Sequence, residues 1–183
     1  DSEKRFWITY NGEIYNYTEL REELKQKGHR FVSESDSEVI IYAYKEWGEK
    51  CLLRFNGMWA FVIFDARQQI LFGSRDRFGV KPFYYFINDD FFAFASEQKS
   101  LLRAEIIKPK INYAAVFDFF VLSKTETDET GMFEDILELQ PSCNFKLSIR
   151  DNKFKKWKYY SLSFNKEFKQ FDRNEFEKLC SET

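Results

Sequence analysis

Residues 58 to 64, MWAFVIF, form an unbroken apolar run. A strand points successive side chains to opposite faces, so this segment leaves water no face to touch and must be buried on both sides. Its neighbours say how. DARQQ (65–69) leads from it into ILFGS (70–74), and INDD (87–90) separates PFYYF (82–86) from FFAFAS (91–96). Polar connections of hairpin length pair strands antiparallel. An antiparallel sheet usually shows one face to solvent, so one with both faces covered needs a further layer on each side, either helices or a second sheet. The expectation is a layered α+β sandwich in which MWAFVIF and FFAFAS are central strands.

Ahead of that run, FWITY (6–10) is strand-like in its β-branched and aromatic content. Asn16 and Glu19 then have capping-box spacing, Tyr17, Leu20 and Leu24 share a helical face, and Gly28 supplies a stop. HRFVSE (29–34) suggests a short strand. Ser35 and Glu38 repeat the capping spacing before Val39, Ile40, Ala43, Tyr44 and Trp47, which predicts a second helix ending near Gly48. Further on, EQKSLLR (97–103) and NYAAVFDFFVL (112–122) are expected as helices and SKTETDETG (123–131) as a polar loop. NFKLSI (144–149) and KFKKWKYYSL (153–162) are expected as strands. Asp172 and Glu175 have the spacing of a helix start in DRNEFEKLCSET.

The chain of 183 residues suits one substantial domain, and an aromatic content of 20% requires a bulky core. A net charge of −2 with both signs interspersed gives no reason to expect a nucleic acid or an anionic membrane as partner, and KFKKWK is too local to change that. Cys51, Cys143 and Cys180 are odd in number and far apart, which argues against a disulfide framework or a zinc site and for a reducing cytoplasm. No apolar stretch reaches membrane-span length, so a soluble chain is expected. None of the cysteines sits beside a histidine or in a glycine elbow, so each is expected as a core or surface thiol. His29 is expected at the surface or half-buried.

Two motifs admit chemistry. In YNGEIYN, Asn11 and Gly12 fit an ordinary tight turn with Asn16 as a helix cap. They also fit an oxyanion hole, in which the Asn11 amide and the next backbone N–H aim two donors at one point and Gly12 lets substrate approach the backbone. In SDSEV, Asp36 either complements a helix dipole or, if it points into a cleft beside Asn11 and Gly12, pairs with a ligand ammonium. RDRFGVKP is expected as structural support, with Asp76 tied to a neighbouring arginine and Arg75 and Lys81 in the layer behind the site.

The segments YNGEIYNYTELREEL, SDSEVIIYAYKEWG, RFNGMWAFVIFD, SRDRFGVKPFYY and FASEQKSLL occur in one order over the first hundred residues. This series resembles the glutamine-hydrolysing domain of asparagine synthetase, a class II glutamine amidotransferase of the N-terminal-nucleophile hydrolase type. The resemblance is strongest to Leu102 and continues through TGMFEDILELQPS and WKYYSL. It implies a four-layer αββα sandwich, incomplete at its N-terminus, over residues 1–163, with 164–183 as a linker and the start of a helix toward a synthetase domain. It implies Asn11 and Gly12 as the oxyanion hole, with Glu13 and Asp36 holding the amino-acid end of L-glutamine.

In the family, an amino-terminal cysteine attacks the amide, and the ammonia released passes to a synthetase domain of the same polypeptide that uses ATP and Mg to amidate aspartate or a related carboxylate in asparagine biosynthesis. No cofactor is implied for this chain itself, and a homodimer is compatible. The sequence opens on Asp1-Ser2-Glu3-Lys4 without the family's opening Cys-Gly segment, so the expectation is an internal piece of a longer ligase, inactive by itself. The competing expectation is an inactive amidotransferase-like domain that senses glutamine or binds a partner.

Overall fold

A computed structural model of the chain describes residues 4–105, 107–108, 110–123 and 129–162. The expected helix at DRNEFEKLCSET, the linker from 164 and Cys180 lie outside them, as does most of SKTETDETG.

The first sheet is antiparallel with the strand order β1-β2-β3-β7-β8, and the second has the order β5-β4-β6. In chain order, β1 is Phe6–Ile14, β2 Gly57–Asp65, β3 Ile70–Arg75, β4 Tyr84–Ile87, β5 Phe92–Ala95, β6 Leu137–Glu138, β7 Cys143–Ser148 and β8 Lys153–Lys158. Helices α1 (Tyr17–Gln26) and α2 (Asp36–Trp47) follow β1, α3 (Gln98–Arg103) follows β5, and α4 (Tyr113–Leu122) follows α3.

The layering comes from where each strand's two rows of side chains go. One row of β2, Trp59, Phe61 and Ile63, packs with Phe6, Ile14 and Phe72 against Leu20 and Leu24 of α1 and Val39, Ile40 and Ala43 of α2. The other row, Ala60 and Val62, meets Phe83 and Tyr85 of the second sheet, together with Phe145. The far face of the second sheet, with Tyr84, Phe86, Ala93 and Ala95, is covered by Leu101 of α3 and by Ile107 and Ile136. Helices, sheet, sheet and helix therefore stack as four layers. Each buried large apolar side chain contributes about 1.5–3 kcal/mol, which is why the unbroken run of β2 occupies the middle of this stack. By contrast α4 stands apart from the stack: only Ala115 is buried, while Tyr113, Phe117 and Phe120 are exposed.

Four expectations need correction. FFAFAS is not central, because β5 is an end strand of the second sheet. Its run is apolar because Phe92 and Phe94 face the first sheet while Ala93 and Ala95 face α3. HRFVSE is not a strand, because side chains take its backbone groups: Glu38 accepts from the N–H groups of Val32 and Ser33, and Arg21 Nη2 donates to Ser33 O at 2.6 Å. Asn16 precedes α1 without capping it. It spans to the loop before β2, donating to Arg54 O at 2.9 Å and accepting from Asn56 N at 2.8 Å. Lastly, β1 does not stop at Tyr10. It runs straight through Asn11, Gly12 and Glu13, paired with Ala60, Trp59 and Met58 of β2, so no tight turn exists there.

Candidate active site at the free edge of the first strand

Among the described residues β1 is an end strand, with a β-strand partner on one side only. Ala66 N donates to Arg5 O at 2.8 Å and Tyr15 N donates to Asn56 O at 2.7 Å, so the odd-numbered residues of this stretch exchange backbone bonds with β2. Alternation then turns the N–H groups of the even-numbered residues to the free edge. Ile14 shows this directly, its N–H reaching Asp36 Oδ2 at 3.1 Å. Two residues earlier, the Gly12 N–H points out of the same edge. A β-carbon at Gly12 would lie 2.2 Å from Met58 O and 2.8 Å from Trp59 Cα, so the close approach of β2 admits only glycine.

The Asn11 side chain projects from β1 toward the space between the sheets. Its Nδ2 donates to Ser96 Oγ at 3.2 Å, joining the edge of the first sheet to the end of β5 in the second. Beside this pair is a cleft of about 100 Å³ lined by Thr9, Asn11, Ala60, Val62, Phe94 and Ser96. Its walls are mostly apolar, and the polar atoms converge where Asn11 and Ser96 meet, an arrangement that suits a small ligand with one polar end.

Asp36 approaches the same edge from the helix side. Ser35 caps α2 by accepting from Ser37 N at 3.2 Å, which sets Asp36 in the first turn. Asp36 Oδ2 accepts from Tyr10 Oη at 2.8 Å as well as from Ile14 N. Tyr10 and Ile14 flank Gly12 on the strand, so the carboxylate sits over the edge next to the Gly12 N–H. Burial and then the bond to Asp36 push the Tyr10 hydroxyl far above its usual range, so it remains a donor. Both bonds fall on Oδ2. Asp36 and Asn11 thus approach Gly12 from opposite faces of β1, and Asp36 contacts Tyr10 and Ile14, not Asn11. Glu13 is exposed on the same strand.

Arg75, Asp76 and Lys81 act behind this edge. Asp76 accepts from Phe78 N and Val80 N at 3.0 Å each, from Lys81 N at 2.9 Å and from Trp59 N at 3.3 Å. Its own N–H donates to Trp59 O at 2.8 Å, and Trp59 is the β2 residue opposite Gly12. Asp76 therefore fixes the backbone against which Gly12 is pressed. It does so through amides, not through an arginine as the sequence suggested. The buried Arg75 instead donates to Lys81 O, Gly79 O and Leu139 O at 2.7, 2.9 and 2.6 Å and pairs with Glu138 at 2.8 Å. Lys81 enters the network by its backbone. Ser96 is the residue that sequence reasoning missed; it closes the segment FFAFAS, where it reads locally as the polar end of a strand.

Neither described cysteine is placed to attack at this edge. Cys51 is fully buried and burial pushes its thiol up. Cys143, half-buried on β7, is raised by burial too. His29 is half-buried and bonds Glu46 at 3.0 Å. Among the described residues no helix is long and apolar enough to cross a membrane.

The fold sets the Asn11 and Gly12 donors at the edge of an antiparallel double-sheet sandwich covered by helices on both sides. The chain resembles in fold the glutamine phosphoribosylpyrophosphate amidotransferase of Bacillus subtilis, solved with ADP and GMP, with a TM-score of 0.59 at 19% identity over 87% of this chain and 30% of that one. Residues 1–160 match the family of glutamine amidotransferase domains, and the chain belongs to it. It is 37% identical over 167 residues to asparagine synthetase [glutamine-hydrolyzing] 3 of Bacillus subtilis, covering 91% of this chain and 27% of that protein. It is 38% identical over 157 residues to a putative asparagine synthetase [glutamine-hydrolyzing] 2 of Methanocaldococcus jannaschii, covering 85% and 30%. The chain thus spans less than a third of the length of these relatives.

Proposed function

We propose that this domain hydrolyses the side-chain amide of L-glutamine to glutamate and ammonia, as the amidotransferase part of an asparagine synthetase-like ligase. The observation that carries this reading is the Gly12 N–H on the free edge of β1 beside the Asn11 amide, next to a cleft of about 100 Å³. When a thiolate adds to the amide carbon, the carbonyl electrons move onto oxygen. Preorganised N–H donors in a water-poor site stabilise that charge as it develops. Asn11 Nδ2 and Gly12 N supply them. Asp36, with Glu13, takes the substrate's ammonium, and Asp36 Oδ2 is already held in place by Tyr10 and Ile14.

In this reading the attacking thiol is neither Cys51 nor Cys143, both of which burial raises. The ammonia passes to a synthetase domain of the parent polypeptide, with residues 164–183 leading toward it, and the free thiols suit a reducing cytoplasm. The ATP and Mg of carboxylate activation belong to that domain.

The test is steady-state glutamine hydrolysis by the parent enzyme carrying Asn11→Asp or Asp36→Asn. Loss of one oxyanion donor lowers turnover on the order of 100- to 1,000-fold, and Asn11→Asp does so without unfolding the domain. Asp36→Asn acts mainly on KM, because the ammonium contact is alike in ground and transition states. Near-native turnover in a folded Asn11→Asp enzyme refutes the oxyanion assignment.

A further inference from the structure

We infer that Ser96 is a positioning residue for the oxyanion hole, holding the Asn11 side chain so that its amino group, and not its carbonyl, faces the cleft. The inference rests on the reading of Asn11 given above and adds a residue from the other sheet to it.

An asparagine amide is ambivalent: it carries two N–H donors on one atom and an acceptor on the other, and rotation about its last bond exchanges them. A hole built on such a group works only while nitrogen points at the developing charge. The carbonyl in that place would repel it. β1 fixes the backbone of Asn11 through its pairing with Ala60, but it does not fix the amide. The contact that ties its nitrogen down is the bond to Ser96. Nδ2 donates one hydrogen to Ser96 Oγ at 3.2 Å and keeps the second for the cleft.

Ser96 is well placed to act as a fixed point. It follows β5, whose Phe94 and Ala95 pair with Tyr85 and Tyr84 of β4, and it precedes α3, whose Leu101 is buried. It also lines the cleft together with Asn11. The anchor therefore belongs to a part of the molecule 85 residues away in sequence, so the hole is assembled only when the two sheets are stacked.

Ser96→Ala leaves the cleft and the strand intact and removes the acceptor. A neutral hydrogen bond contributes roughly 1 kcal/mol net, which is about a 5-fold effect. In the parent enzyme, Ser96→Ala is expected to lower kcat about 5-fold with KM for glutamine nearly unchanged, and Ser96→Thr, which keeps the oxygen, restores kcat. In an Asn11→Gly background the Ser96→Ala change has no further effect on kcat, because the group it positions is gone. Should the alanine variant not fold, Ser96→Cys gives the same reading, since a thiol is a weak acceptor. An unchanged kcat in Ser96→Ala, a loss in Ser96→Thr equal to that in the alanine variant, or full additivity with Asn11→Gly overturns the inference. A normal kcat in Asn11→Gly alone is a different result: it removes the oxyanion reading itself.

Discussion

The Tyr10 hydroxyl donates to Asp36 Oδ2 at 2.8 Å, joining the edge strand to the first turn of α2. Because Ile14 N donates to the same oxygen, the carboxylate is held by donors from two residues on either side of Gly12. A hydrogen bond to a charged acceptor contributes about 1.5–3 kcal/mol. Tyr10→Phe is therefore expected to lower the unfolding free energy by about 1.5 kcal/mol in urea titrations. In the parent enzyme it raises KM for glutamine more than it lowers kcat.

Gly12 and Gly28 make a contrasting pair. A β-carbon at Gly12 meets backbone atoms at 2.2 and 2.8 Å, whereas one at Gly28 meets nothing within 4 Å. At Gly28 the cost is only the positive φ of +93°, about 1 kcal/mol. Backbone cannot move aside as a side chain can, so Gly12→Ala separates β1 from β2 and is expected to cost more than about 3 kcal/mol. Chemical denaturation of the two variants checks the order; equal losses would show that β1 and β2 do not press together at Gly12.

Asp65 supplies a pH dependence. Burial opposes its charge, but the Arg5 guanidinium at 2.7 Å and the N–H groups of Gln68 and Arg67 outweigh it and hold the carboxyl below its usual range. A depressed folded value means that this stabilisation is present above the unfolded carboxylate pKa of about 3.9 and is lost as pH falls through the folded value. Asp65→Asn is expected to cost about 2 kcal/mol at neutral pH, with the difference from the unmodified chain closing below about pH 4. Unfolding free energies measured from neutral to acid pH check it. A constant difference would assign the effect to packing.

Arg75 has four partners set in fork geometry, three carbonyls and Glu138. A lysine keeps the charge but reaches only some of them, leaving buried carbonyls without donors. Arg75→Lys is expected to destabilise by about 3 kcal/mol, with the loss read in urea unfolding. A variant as stable as the parent would show that charge alone suffices there.

The sequence made β2 legible because its apolar run has a single physical solution. What it could not show was the change of sheet between β3 and β4. Both hairpins read alike locally, and the network at Asp76 that redirects the chain draws on Trp59 and Ser142, far from the turn in sequence. The reading of Asn11 and Gly12 as a turn failed for a similar reason. The demand for glycine comes from Met58 and Trp59 on another strand together with a φ of +156° that the strand pairing imposes. HRFVSE misled because strand-forming residues can spend their backbone groups on side chains such as Glu38 and Arg21. The gathering of Asn11, Gly12 and Asp36 around one strand edge was anticipated from motifs, whereas the approach of Ser96 was not. Only the stacking of the two sheets gives that serine a partner.

The order β1-β2-β3-β7-β8 has a consequence for synthesis. On a ribosome, β1, β2 and β3 emerge as a three-stranded sheet whose β3 edge waits for β7, and β7 comes only after all three strands of the second sheet have been made. During that interval β3 offers an unsatisfied row of peptide groups, and Phe145, whose ring comes to lie over Gly73, has not yet been translated. Such an edge is cohesive toward other nascent chains. The growing polypeptide is most exposed to aggregation while residues 76 to 142 are being made, and that is when a chaperone bound at β3 protects it most.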